Sequence, residues 1–136
     1  MDRELFDKAL AVRERAHAPY SKFSVGAALR TKDGSVHIGC NVENAAFPEG
    51  WCAETSALAD MIAHAPDGRR SRVAAIAVIA RRIEGRLVTP CGGCRQRLAE
   101  FGGADTLVHV ADSDGEGETY LLTELLPHAF ALDGPK

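Results

Sequence analysis

The chain has 136 residues, of which 46% are hydrophobic and 26% charged, as expected of a soluble globular protein with one domain over residues 1–136. Its formal net charge is −3, and Lys and Arg form no basic cluster, which argues against a protein that binds nucleic acid. The sequence shows no leader-like start and no apolar run long enough to span a bilayer, so we expect a cytoplasmic protein that does not engage membranes.

Helical and extended patterns alternate along the chain. In order, the predicted elements are a helix over 2–16, strands over 23–31 and 36–42 joined by a hairpin turn, a loop over 44–50, a helix over 52–64, a strand over 73–80, a helix over 92–100, a strand over 106–110, an acidic surface loop over 112–118 and a short apolar segment over 121–126. The near-continuous apolar run over 73–80 is typical of a central strand buried on both faces. The alternation predicts an α/β sandwich with a mixed sheet.

Two cysteine-containing segments carry the most specific chemical signal. They are Cys52-Ala53-Glu54 and Pro90-Cys91-Gly92-Gly93-Cys94. In a reducing compartment such cysteines favour metal binding or catalysis over disulfides. Three thiolates would give Zn²⁺ three protein ligands and leave a fourth tetrahedral position for water, whose pKa zinc lowers to about 7. Glu54, close to the first cysteine, is then a candidate proton carrier.

Both segments lie at predicted helix starts, where free N–H groups and the helix dipole favour a thiolate. The cysteines also admit a second interpretation, in which Cys91 and Cys94 belong to a purely structural zinc site. Cys40 would then be the fourth ligand, no position would remain for water, and the protein would be a zinc-stabilised binding domain.

The chain resembles the cytidine deaminase family in its small single-domain form. The segments that carry the resemblance are Phe23–Ala28, Asn41–Ala45, Cys52–Glu54, Pro90–Gln96 and Glu124–Pro127. The cysteine and glutamate pattern is the zinc-deaminase signature in its all-cysteine version. The resemblance implies a three-layer α/β/α sandwich around a mixed five-stranded sheet. It also implies one Zn²⁺ per subunit and a homotetramer whose active sites are shared between subunits.

The resemblance further implies hydrolysis of cytidine and deoxycytidine to uridine and deoxyuridine. Glu54 would protonate ring nitrogen N3 and help ammonia leave. The implied zinc ligands are Cys52, Cys91 and Cys94, and the implied nucleoside contacts are Asn41 and Glu43 at the ribose hydroxyls, the backbone of Ala53 and Pro90 at the base edge, Phe23, and Phe130 of a neighbouring subunit. The stretch 41–43 contains no Arg or Lys to bind a phosphate, which favours a neutral nucleoside.

Two departures from the family pattern bear on activity. The family usually has Arg directly after the catalytic Glu, where this chain has Thr55. Because zinc with three thiolates carries net negative charge, we expect helix-start amides and Arg95 to offset it. The loop 47–51 also differs from the commoner family loop, and Trp51 either lines the pocket or covers the following helix. The alternative substrates are therefore a modified cytosine nucleoside or an aminopyrimidine antibiotic.

Overall fold

The computed structural model describes residues 1–132, in which helices cover both faces of one five-stranded mixed sheet. The helices are α1 (Arg3–Arg13), α2 (Ala53–His64), α3 (Gly92–Phe101) and α4 (Leu122–Leu125), and the strands are β1 (Gly26–Thr31), β2 (Val36–Cys40), β3 (Val73–Ile79), β4 (Leu107–Ala111) and β5 (Gly117–Leu121). The strand order is β2-β1-β3-β4-β5, and β3 and β4 are the parallel pair. The predicted three-layer sandwich is confirmed.

The central strand β3 joins two separate hydrophobic cores. Ile76 and Val78 belong to the core that α2 and α3 cover, whereas Ala77 and Ile79 belong to the core that α1 covers. Because alternate side chains of a strand point to opposite faces, this division requires apolar residues throughout the strand. The α2 and α3 layer carries the residues of the candidate site.

Strand β2 approaches the start of α2 closely at Gly39. A Cβ on Gly39 would lie 2.4 Å from the amide nitrogen of Ala57 and 2.6 Å from the carbonyl oxygen of Ala53, so any larger residue would force the backbone apart. In addition, the Ser56 hydroxyl donates to the carbonyl oxygen of Cys40 at 2.8 Å. These contacts fix the first turn of α2 against the sheet.

Two predicted segments differ from the structure at the C-terminal edge of the sheet. The acidic loop predicted over 112–118 ends earlier, because its last two residues begin β5 and pair with β4. Asp112 closes the preceding turn by accepting the N–H groups of Asp114 and Glu116 at 3.0 and 3.1 Å. The apolar segment over 121–126 contains α4. Among the residues described, no helix is long and apolar enough to cross a membrane.

Candidate metal centre and active site

Three cysteine sulfurs come together where α2 and α3 begin. Cys52 is the N-cap residue of α2 and Cys91 that of α3, while Cys94 lies in the first turn of α3. The three sulfurs all lie within 4.8 Å of one another, and those of Cys52 and Cys91 are 3.7 Å apart. A tetrahedral ion with Zn–S bonds of about 2.3 Å separates its sulfurs by about 3.8 Å. The cluster therefore fits zinc in both ligand type and spacing.

The thiols of this cluster differ in acidity because they hydrogen-bond to one another. The Cys94 thiol donates to the Cys52 sulfur, and this bond is the main reason that the pKa of Cys52 falls to about 6. The Cys91 thiol and the positive charge of Arg97 act in the same direction. The same bond to Cys52, together with burial, raises the pKa of Cys94. One sulfur is thus a thiolate at neutral pH, the form that binds a metal.

Cys40 does not join the cluster. It lies at the end of β2, paired with Gly26 of β1, and the metal-binding group found within residues 1–132 consists of Cys52, Cys91 and Cys94. The interpretation of a closed four-sulfur zinc site with Cys40 therefore disagrees with the structure. Three sulfurs leave a tetrahedral ion one further ligand position.

Glu54 lies in the first turn of α2, beside the sulfurs, and is only 4% exposed. Burial is the main cause that raises the pKa of its carboxyl group to about 7, and the negative charge of Cys52 raises it further. A carboxyl group that changes protonation near neutral pH can both accept and donate a proton. The structure therefore brings together the three predicted metal ligands and the predicted proton carrier.

A cavity of about 620 Å³ opens next to Cys52, Cys91 and Glu54, a size typical of small-molecule sites. Exposed rings of Tyr20, Phe47 and Trp51 form part of its lining. The indole N–H of Trp51 also donates to the hydroxyl of Ser56 on α2 at 2.8 Å. The sequence left two alternatives for Trp51, lining the pocket or covering the helix, and the structure shows that it does both.

Asn41 lines the cavity, and its side chain also binds the segment 23–25 that precedes β1. Its Oδ1 accepts the N–H of Val25 at 2.9 Å, and its Nδ2 donates to the carbonyl oxygen of Phe23 at 2.8 Å. Each of these groups keeps capacity for one more hydrogen bond, because an amide offers two donors and two acceptor positions. The side chain can therefore position Phe23 and still bind a ligand.

Glu43 lines the cavity as well, and its carboxylate binds the segment 20–21. It accepts the N–H groups of Tyr20 and Ser21 at 2.9 and 3.1 Å, and the Ser21 hydroxyl donates to its second oxygen. The hydroxyl bond is the main cause that lowers the pKa of Glu43. Sequence reasoning missed Tyr20 and Ser21, although their neighbour Phe23 marks the same segment.

The remaining predicted base contacts differ in their position relative to the cavity. Phe23 and Ala53 line the cavity, and the guanidinium carbon of Arg81 lies 4.9 Å from the centroid of the Phe23 ring. Pro90 is fully buried next to the cavity-lining Cys91. Phe130 is outside the set of lining residues, 68% exposed, and held by two hydrogen bonds to the Gln96 side chain of α3.

Arg95 makes no hydrogen bond to the sulfurs in the described part of the chain. Its guanidinium donates to the carbonyl oxygens of Pro90 and Leu125 at 2.8 and 2.7 Å and to the hydroxyl of Thr89 at 2.8 Å. These bonds hold the loop before α3. The arginine whose charge lowers the pKa of Cys52 and Glu54 is instead Arg97. The sequence feature that could have identified Arg97 is its spacing of four residues from Gly93. This spacing places the two residues on one face of the helix.

Residues 1–110 match the family model described as the cytidine and deoxycytidylate deaminase zinc-binding region. The chain belongs to this family. It is 46% identical over 134 residues to a cytidine deaminase of Halalkalibacterium halodurans, a match that covers 98% of this chain and 97% of the relative. A cytidine deaminase of Sporosarcina psychrophila is 43% identical over 132 residues, covering 96% and 93%.

Solved structures of cytidine deaminases share the fold of this family member. The crystal structure from Burkholderia pseudomallei matches with a TM-score of 0.83 at 41% identity, covering 96% of this chain and 99% of that one. The crystal structure from Mycobacterium tuberculosis matches with a TM-score of 0.79 at 34% identity, covering 97% and 99%. The resemblance seen in the sequence is confirmed, and zinc is the metal that the family and the three-sulfur cluster indicate.

Proposed function

We propose that this protein is a zinc-dependent hydrolase that converts cytidine and deoxycytidine to uridine and deoxyuridine with release of ammonia. The observation that carries the proposal is the position of Glu54. A buried carboxyl group with a pKa of about 7 lies beside three sulfurs and lines a cavity large enough for a nucleoside. The relatives that bear the name cytidine deaminase support the same substrate.

Cys52, Cys91 and Cys94 would hold the zinc ion. Zinc, when bound, supplies the Lewis acidity that lowers the pKa of a water molecule to about 7. The N-cap positions of Cys52 and Cys91 add the positive ends of two helix dipoles, which favour the ionised sulfurs. The chain therefore contributes both the ligands and part of the field that keeps them charged.

Glu54 would carry the protons of the reaction. Its carboxylate accepts a proton from the attacking water and delivers it to ring nitrogen N3 while the new bond to C4 forms. The same carboxylate then takes the proton of the new C4 hydroxyl and passes it to the amino group, whose bond to C4 breaks as the C4 carbonyl forms. One water is consumed, and one uridine and one ammonia are released. A pKa of about 7 keeps both protonation states populated at neutral pH.

Asn41 and Glu43 would bind the ribose hydroxyls with the hydrogen-bonding capacity that their backbone contacts leave free. Phe23 would pack against the base, and the backbone of Ala53 and Pro90 would read its edge. Among the described residues that line the cavity there is no Lys or Arg, which favours a neutral nucleoside over a nucleotide.

A homotetramer would complete each site with Phe130 of a neighbouring subunit. This residue is largely exposed in the single chain, and its backbone is fixed to α3 through Gln96, so its ring is presented outward in a defined position. Size-exclusion chromatography with light scattering tests the assembly, and a monomer with full activity would contradict it. The four free cysteines favour a reducing, cytoplasmic location, and the conversion of cytidine to uridine would serve pyrimidine salvage.

The deciding experiment measures ammonia release and ultraviolet loss of cytidine absorbance, with zinc content determined on the same sample. Cytidine and deoxycytidine should both turn over, and Glu54→Gln should lose turnover while it keeps zinc. Turnover of modified cytosine nucleosides or aminopyrimidines without turnover of cytidine would change the substrate. Bound zinc without turnover of any of these compounds would favour a zinc-stabilised binding domain.

A further inference from the structure

We propose that Arg97 is a positioning residue for the metal centre, whose guanidinium offsets the negative charge of the three cysteine sulfurs across the first turn of α3. The inference rests on the proposed zinc site. It goes beyond that site because Arg97 is neither a metal ligand nor a residue that lines the substrate cavity.

The guanidinium of Arg97, an exposed residue of α3, lies close to Gly93. A Cβ on Gly93 would lie 3.0 Å from Nη1 of Arg97, 3.7 Å from Cζ and 3.9 Å from Nη2. Side chains on a helix point back toward its N-terminus, so Arg97 extends over the turn that contains Cys94 and follows Cys91. Gly93 has no side chain to displace it, and the positive charge therefore lies at the end of α3 that carries the sulfurs.

The short side chain of Thr55 leaves open a groove between α2 and α3, and Arg97 lines the same groove. Thr55 follows Glu54 on α2, and its buried hydroxyl has no hydrogen-bond partner among the residues described. Thr55, Arg97 and Glu100 line one groove of about 450 Å³ between α2 and α3. The threonine side chain is too short to fill this groove and carries no charge. The positive charge in the groove is therefore that of Arg97, on the neighbouring helix α3.

The charge balance of the site gives this cation a function. Zinc with three thiolates is net negative, and Glu54 adds a second negative charge when it ionises. A guanidinium over the turn that contains Cys94 offsets part of this negative charge. Arg95 instead directs its guanidinium to the oxygens of Pro90, Thr89 and Leu125 and does not line the groove beside Thr55.

Zinc retention tests the proposal directly. Wild-type protein, Arg97→Gln, Arg97→Lys and Arg70→Gln are each titrated with a chromophoric zinc chelator. Arg97→Gln should bind zinc about 10-fold more weakly, in the range known for groups that surround metal ligands, and Arg97→Lys should stay near wild type. Arg70→Gln removes an exposed charge that follows the far end of α2, a helix about 18 Å long whose N-cap is Cys52, and should have no effect.

Three further variants separate charge from packing. Thr55→Arg added to Arg97→Gln should restore zinc affinity, because the new side chain enters the same groove. Gly93→Ala keeps the charge and shifts the flexible guanidinium by only a few tenths of an ångström, so its zinc affinity should stay near wild type. Arg97→Met also removes the charge, should weaken zinc binding as much as Arg97→Gln, and decides if Arg97→Gln does not fold.

Wild-type zinc affinity in Arg97→Gln, or equal damage in Arg97→Lys and Arg97→Gln, would overturn the proposal. The second result would show that the shape of arginine matters and its charge does not. If the wild-type protein deaminates none of the nucleosides, the proposed function fails. The chelator titration would still decide the role of Arg97 at the metal.

Discussion

Replacing Glu54 with glutamine should stabilise the protein above neutral pH while it removes activity. Burial raises the pKa of Glu54 from an ordinary value of 4.5 to about 7. The folded protein therefore holds this proton more tightly than the unfolded chain does. As the pH rises above 4.5 the unfolded chain ionises first, so stability falls until the pH passes 7. The difference between the two pKa values corresponds to about 3 kcal/mol, a cost that neutral glutamine avoids.

The assay is thermal and urea unfolding of zinc-free wild type and zinc-free Glu54→Gln at equal protomer concentration between pH 4.5 and 8.5. The advantage of the variant should be small at pH 4.5, increase toward pH 7 and then remain constant. Turnover of cytidine should fall by about 10²-fold to 10⁴-fold, as expected for loss of a general acid–base group. Glu14→Gln, an exposed control on the surface, should show neither effect. A stability difference that does not vary with pH would refute the burial argument.

Three shorter predictions concern the site and its support. Cys91→Ser should lose bound zinc and Cys40→Ser should retain it, and equal zinc content of the two purified variants would contradict the three-sulfur centre. Gly39→Ala should lower the free energy of unfolding by about 1–3 kcal/mol, because the new Cβ meets the backbone of α2. An unchanged midpoint of denaturant unfolding would show that α2 shifts away from the new methyl group without loss of stability. Asn41→Ala removes two bonds that hold residues 23–25, so KM for cytidine should rise, and steady-state kinetics in which kcat alone changes would speak against this role.

The layers of the fold could be predicted because buried strands and helix faces consist of apolar residues with a recognisable spacing in the sequence. The apolar run over 73–80 became the central strand, since only a strand covered on both faces needs apolar residues at every position. The helix predicted over 52–64 is confirmed, with Cys52 as its N-cap and helical residues from Ala53. The edge strand β5 was missed because its side chains are mostly exposed and acidic residues precede it.

The electrostatic partners of the site could not be predicted from the same patterns. Arg95 and Arg97 both follow Cys94, and composition does not distinguish them. The difference arises from tertiary structure, because α4 supplies Leu125 as an acceptor for Arg95, whereas Arg97 faces the groove beside Thr55. The bond between Glu43 and the segment 20–21 is likewise a long-range contact without periodicity.

The contact between Gly39 and the first turn of α2 decides where this pocket can be redesigned. Changes that would accommodate a bulkier base cannot come from the helix that carries Glu54, because the sheet supports it backbone to backbone. In the loop 47–51, residues 47–49 have exposed side chains, whereas Trp51 is held by two backbone hydrogen bonds to Val42 and by its indole bond to Ser56. Directed evolution toward larger substrates should therefore accumulate its substitutions at residues 47–49 and spare the scaffold beneath them.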